Sequence, residues 1–230
     1  KAIAIDGLLP QVERLEAEGK TVMFLARDGK AGGVIAVADT LRPDAPLAID
    51  QLHRLGIQVA MLTGDNRRTA QAIARQAGID RVLAEVLPQD KAEELKKLQG
   101  EKRRVAMVGD GINDAPALAQ ADAGIAIGAG TDVAKETGHV ILIRDRLLDV
   151  VAAVQVSRAT MRKVKENLFW AFGYNTLGIP IAAGLLYPFF GLVVSPELAA
   201  FFMATSSISV TLNTTLLRRY RPPVKRLEAA

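Results

Sequence analysis

Val105-Ala106-Met107-Val108-Gly109-Asp110-Gly111-Ile112-Asn113-Asp114-Ala115-Pro116-Ala117-Leu118 is the stretch that decides the fold. Its first four residues are a short apolar run of the kind that forms a buried strand. Gly109 and Gly111 let the backbone turn tightly around Asp110. Pro116 suits the first turn of a helix over Ala115–Ala119, because its missing N–H is not needed there. Strand, polar signature and helix follow one another within fourteen residues. That order places the polar groups at the C-terminal end of a strand, where open α/β sheets bind ligands.

The same order repeats outward from this stretch. Upstream, Gln58–Leu62 leads into Thr63-Gly64-Asp65-Asn66 and a helix over Arg67–Gln76, and Val82–Leu83 leads into Pro88-Gln89-Asp90-Lys91 and a helix over Lys91–Gln99. Another helix covers Asp44–Leu55, and Gly56 and Gly78 stand where helices stop. Downstream, Ile125–Ile127 and Val140–Ile143 read as strands, with a helix from Leu147 onward. Alternating strands and helices predict an α/β domain with a mainly parallel sheet. Ahead of it lie a helical stretch, Pro10–Gly19, and two strands, Thr21–Ala26 and Gly33–Ala38, around the turn Asp28-Gly29.

The three signatures share one chemistry. A phosphoryl group in transfer needs its charge neutralised and its oxygens held. Thr63 brings a hydroxyl, and Gly64 and Asp65 bring backbone amides. Lys91 brings a point charge. Asp110, with Asp114 close in sequence, brings hard carboxylate oxygens of the kind Mg²⁺ prefers. Taken singly, each motif is ordinary turn or surface chemistry. In this order, at strand ends, they read as one phosphate-handling set.

The rest of the chain differs in composition. Of 230 residues, 50% are hydrophobic and 23% charged, yet 167–194 and 198–217 contain no Asp, Glu, Lys or Arg. Each stretch is long enough to cross a hydrocarbon core as a helix. Arg158, Arg162, Lys163 and Lys165 precede the first; Arg218, Arg219, Arg221, Lys225 and Arg226 follow the second. The link between them, around Gly191–Glu197, has no Lys or Arg, which predicts cytoplasmic ends and an external link. Membrane flanking thus accounts for the net charge of +4, and no basic–aromatic pattern suggests nucleic acid. The absence of cysteine excludes disulfides and thiolate metal sites within the chain. His53 and His139 read as surface or core side chains. Met203 and Ser207, four residues apart, share a helix face at a depth overlapping Tyr174 and Asn175. A thioether suits Cu(I), while packing alone also accounts for Ser, Thr and Met in a membrane helix. Residues alone leave both readings open there.

These motifs resemble the phosphorylation domain of P-type ATPases, on the haloacid dehalogenase-like fold. Asp39-Thr40-Leu41-Arg42-Pro43 resembles the family's D-x-x-R-P hinge strand, and GDGINDAPAL at Gly109–Leu118 is its most diagnostic run. The resemblance implies that Thr63, Gly64 and Asp65 serve the phosphate, that Lys91 neutralises it, and that Asp110 holds Mg²⁺. Asn113 and Asp114 then steady the phosphate–magnesium network, with ATP as phosphoryl donor. Tyr174-Asn175 and the M-x-x-S-S run at Met203–Ser207 look like the last two helices of copper(I)-exporting heavy-metal ATPases, the P-IB class. That likeness implies a transported Cu⁺ bound by Tyr174, Asn175, Met203 and Ser207. Implied partners are a copper chaperone, membrane lipids and the upstream parts of the same ATPase: actuator domain, nucleotide domain and other membrane helices. The implied location is the plasma (inner) membrane.

One departure matters. The family's nucleophile is the Asp of D-K-T-G-T, and this pentapeptide is absent from the chain. Lys1 is also an unusual first residue. The expected organisation is therefore a remnant of the nucleotide-binding domain (1–38), the phosphorylation domain (39–146), a connecting helix (147–166), two membrane helices (167–217) and a cytoplasmic tail (218–230). Such a piece is expected to be inert alone. The alternatives are a membrane-anchored phosphatase of the same fold, an ATPase for Zn, Cd or Ag, and a non-catalytic regulatory fragment.

Overall fold

Asp28 and Gly29 both adopt positive φ, 53° and 78°. A two-residue hairpin turn of type I′ needs that at both central positions. The turn joins β1 (Thr21–Arg27) to β2 (Lys30–Val37), antiparallel from Arg27↔Lys30 to Thr21↔Val37, with a register shift at Leu25/Ala26. Helix α1 (Leu9–Ala17) precedes the hairpin and buries Val12. The computed structural model describes residues 5–37, 41–110, 113–128, 138–191 and 194–227. Asp39 and Thr40 of the hinge motif, and Gly111 and Ile112, lie outside them.

The chain divides into two compact units, Lys1–Val151 and Ala152–Ala230. In the first, α2 (Ala45–Arg54), β3 (Ala60–Leu62), α3 (Arg67–Ala77), β4 (Arg81–Leu83), α4 (Lys91–Gly100), β5 (Ala106–Gly109), α5 (Ala115–Gln120), β6 (Ala123–Ile127) and β7 (Val140–Leu142) alternate as expected. Gly56 and Gly78 follow α2 and α3 at φ of 72° and 78°, the left-handed stop read from the sequence. The parallel pairing comes in two pieces, β3–β4 and β5–β6–β7.

β5 is covered on both faces. Met107 and Val105 pack with Leu62 against Leu95 of α4 and Ala117 and Ala121 of the α5 region. Val108 points the other way, onto Ile125, Ile127 and Val150. Alternation along one strand thus feeds two apolar layers, as a parallel sheet with helices on both faces requires.

β3 is shorter than the expected Gln58–Leu62, because a side chain takes over at its start. Asp80 Oδ2 accepts the Val59 N–H at 2.8 Å. Asp122 Oδ2 does the same for the Val105 N–H at 2.9 Å, just before β5. Each aspartate precedes the neighbouring parallel strand, so one device closes both strand pairs at their N-terminal ends. These N–H donors, with smaller help from His53 at Asp80 and Gln99 at Asp122, hold both carboxyls below the usual range. Both histidines are structural: His53 Nε2 lies 2.9 Å from Asp80, and His139 Nδ1 accepts the Gly124 N–H at 2.8 Å.

The second unit holds most of a long helix, α6 (Leu147–Ala182), then α7 (Tyr187–Phe190), α8 (Pro196–Thr215), a 3₁₀ turn (Leu216–Arg219) and α9 (Val224–Leu227). Of the uncharged stretch 167–194, α6 takes residues through Pro180 and stops at Ala182. Gly184 sits at φ 96°, its N–H bonds Ile181 O at 3.1 Å, and the Leu185 N–H bonds Pro180 O at 3.0 Å. This is a complete Schellman stop, with the glycine at the left-handed position. Ser195 caps α8 by accepting the Leu198 N–H at 3.3 Å. Among the described residues one helical segment, Pro196–Arg219, has the length and hydropathy of a membrane span. Within the tail Val224 is fully buried, and its N–H bonds Gln155 Oε1 at 3.1 Å.

Candidate functional site

At the end of β3 the chain turns on its own side chains. Thr63 Oγ1 donates to Asp65 Oδ2 at 2.9 Å and accepts the Asp65 N–H at 3.1 Å. Backbone bonds fasten the turn to the segment after β4: Thr63 N–H to Leu83 O, Val86 N–H to Thr63 O, and Glu85 N–H to Asp65 O. Asn66 then caps α3 by accepting the Thr69 N–H at 2.9 Å. Strand end, signature turn and helix start form one rigid corner, with Gly64 exposed at its tip.

The end of β5 forms the second corner. Lys91 Nζ, at the start of α4, bonds Asp114 Oδ1 at 2.6 Å, the two side chains being 17% and 13% exposed. Asp114 also rests on Gly109: a Cβ there would come within 2.5 Å of Asp114 Oδ2. Gly109 is thus required by a close approach. Asp110 and Asn113 are exposed beside this pair. The sequence placed Lys91 against phosphate oxygens; the fold gives its ammonium to Asp114. The pair Thr63/Asp65 and the pair Lys91/Asp114 each come together, both at strand C-terminal ends.

The hinge motif contributes a contact that no local pattern signals. Arg42 grips Asp145 bidentately, NH1 to Oδ1 at 2.7 Å and NH2 to Oδ2 at 2.8 Å, and NH1 also bonds the Asp145 carbonyl. That guanidinium holds the Asp145 carboxyl below the usual range. Asp44 accepts the Leu148 N–H at 3.2 Å, so the residues around Arg42 also anchor the start of α6.

In the second unit a cavity of about 540 Å³ is lined by Tyr174, Asn175, Met203, Ser206 and Ser207, with apolar residues around them. All four donors picked out in the sequence meet there, and no lining residue is a carboxylate. Tyr174 stands edge-on to Phe202, ring centroids 6.4 Å apart. Ser207 Oγ donates to Met203 O at 3.3 Å, so its lone pairs are what it offers a cation. Asn175 Nδ2 similarly donates to Ala171 O at 2.8 Å. Among the described residues, no three His, Cys, Asp or Glu side chains cluster as a metal site. Sequence reasoning missed one polar group here: Lys163, Asn167, Asn213 and Thr214 bond one another between α6 and α8. Two Asn residues in nearly uniform apolar helices were the available signal.

The family model for haloacid dehalogenase-like hydrolases matches residues 2–122. A probable copper-exporting P-type ATPase of Archaeoglobus fulgidus is 59% identical over 215 residues, 94% of this chain and 27% of that protein. The copper-exporting P-type ATPase of Bacillus subtilis is 55% identical over 215 residues, 93% of this chain and 26% of its own length. Copper-transporting ATPase 2 of Mus musculus is 53% identical over 93% of this chain and 15% of its own length. The chain therefore spans about a quarter or less of these relatives. Among solved structures, a zinc-transporting PIB-type ATPase in its E2.Pi state superposes with a TM-score of 0.75 at 37% identity, covering 93% of this chain and 34% of that one.

Proposed function

Because the chain belongs to the haloacid dehalogenase-like hydrolases and, among them, to the P-type ATPases, we propose that it is a segment of an ATP-driven copper(I) exporter. In the complete enzyme a carboxylate outside this chain attacks the γ-phosphorus of ATP. An aspartyl-phosphate forms as the bond to ADP breaks. This segment supplies the surroundings of that reaction and one part of the cargo site. Alone it forms no phosphoenzyme.

The residues at the strand ends fit Mg²⁺. Asp110 presents a hard, exposed carboxylate, Asn113 and Asp114 lie beside it, and Gly109 leaves room for nothing but Asp114. Asp110, aided by Asn113 and Asp114, would hold the ion, which supplies charge neutralisation at the phosphate oxygens. The Thr63 corner offers its hydroxyl and exposed backbone to the phosphate. Lys91 keeps its charge at the site through Asp114, which also fixes where that charge stands.

The observation that carries the cargo reading is the shared cavity of Tyr174, Asn175, Met203 and Ser207. A thioether is soft and uncharged, and uncharged oxygens complete the lining. That set suits a monovalent soft ion and adds no buried charge in a membrane. The zinc-transporting structural relative favours a divalent cargo, and the lack of a lining carboxylate counts against it. Both chain ends are read as cytoplasmic from their basic flanks.

The test is Met203→Leu in the complete ATPase, a change that keeps volume and loses the sulfur. Cu(I) stoichiometry and Cu(I)-stimulated ATPase activity are expected to fall, while phosphorylation by inorganic phosphate persists. Copper binding and transport equal to the parent would make Met203 a packing residue and remove the chemical basis of the cargo assignment.

A further inference from the structure

Between α6 and α8 runs a directed chain of hydrogen bonds. Lys163 Nζ donates to Asn213 Oδ1 at 3.0 Å, Asn213 Nδ2 donates to Asn167 Oδ1 at 2.7 Å, and Asn167 Nδ2 donates to Thr214 Oγ1 at 2.8 Å. Thr214 Oγ1 in turn donates to Val210 O at 2.9 Å. Each amide accepts on its oxygen and donates from its nitrogen, so every link polarises the next. Lys163 starts the chain with a full charge, and Glu166 Oε2 holds the same ammonium at 2.7 Å.

From this chain we infer that Asn167 and Asn213 are positioning residues that set the register of the two helices bearing the cargo site. The inference rests on the cargo reading above. The residues around them cannot set a register. From Leu168 to Ala182 and from Leu198 to Leu212 the helices present mostly apolar and small side chains, which pack almost equally well after a slip. A half-buried Asn pair bonded across two helices favours one alignment, and setting register is the best-attested use of polar groups between helices.

The alignment it selects is the one that assembles the cavity. Asn167 precedes Tyr174 by two helical turns, about 10 Å of rise, and Asn213 follows Ser207 by about 9 Å. In antiparallel helices, pinning 167 to 213 therefore brings 174 level with 206 and 175 level with 205. Of these, Tyr174, Asn175 and Ser206 line the cavity together with Met203 and Ser207. A slip of one residue turns a helix by about 100° and moves it about 1.5 Å. Met203 and Ser207 would then leave the face shared with Tyr174 and Asn175.

The experiment uses the complete ATPase with Asn167→Leu and Asn213→Leu combined, which removes the amide pair together and leaves Lys163 on Glu166 and Thr214 on the Val210 carbonyl. Spin labels on noncanonical residues at Arg162 and Arg218, both exposed, report the register as a distance distribution. Cu(I) affinity is measured by competition with a chelator, and phosphorylation by inorganic phosphate serves as the folding control. The expected result is a broadened or shifted distance, Cu(I) affinity about tenfold weaker, and retained phosphorylation. An unchanged distance overturns the inference, as does a changed distance with unchanged affinity. If the parent protein binds no Cu(I), the cargo reading fails, and with it the positioning role; the distance arm still decides whether the pair sets the register.

Discussion

Gly109→Ala isolates the contact that joins β5 to the Lys91–Asp114 corner. The new methyl would stand 2.5 Å from Asp114 Oδ2, 2.9 Å from its Cβ and 3.0 Å from its Cγ. All three obstructing atoms belong to one side chain, so that side chain must move. It is 13% exposed and holds Lys91 at 2.6 Å, so displacement breaks the ion pair. Overpacking of this kind costs about 1–3 kcal/mol, which corresponds to a roughly 5- to 150-fold loss in local protection. Hydrogen–deuterium exchange of the β5 amides in the complete ATPase reads that change directly. The mechanism also predicts non-additivity. Asp114→Gly removes every obstructing atom, so Gly109→Ala in that background should add almost nothing. Full protection in Gly109→Ala alone, or the same added cost in both backgrounds, would refute the steric account.

The remaining predictions concern acid stability and the tail. The lowered carboxyls of Asp80, Asp122 and Asp145 are fully charged, and contribute fully, above their ordinary pKa of about 3.9. Their contribution disappears as pH falls through the lowered folded values. Amide protection at Val59 and Val105, corrected for intrinsic rates, should hold from neutrality down to about pH 4 and fall below it; protection that declines between pH 7 and 5 would point to other groups. Val224→Ala removes two methyl groups from a fully buried site and should weaken tail docking by roughly 1.5 kcal/mol. Trypsin cleavage after Lys225 should then accelerate, and an unchanged rate would show that Gln155 alone holds the tail.

The first unit was legible because its signals are local. Apolar runs of three to five residues, helix stops at Gly56 and Gly78, and the Asp28-Gly29 turn each depend on neighbours within a few positions. The same holds for the three signatures, since a strand end followed by a helix start needs its polar residues at that junction. Where the first apolar stretch leaves its helix was harder to read, because hydropathy records the absence of charge and not the direction of the backbone. Pro180 and Gly184 together carried the stop, yet glycine and proline also occur within membrane helices.

By itself the sequence determined the order of strands and helices, the placement of the three polar signatures at strand ends, and the two uncharged stretches that follow. It did so because backbone hydrogen bonding and hydrophobic periodicity act over short spans. Tertiary structure alone decided that Arg42 meets Asp145, 103 residues away, and that Lys91 spends its charge on Asp114. It also decided that Asp80 and Asp122 close the parallel strand pairs, and that Asn167 finds Asn213. Each of these partners is one carboxylate or amide among many in the chain. Which one is reached depends on where the path of the backbone brings it, and on whether burial leaves the pair a better partner than water.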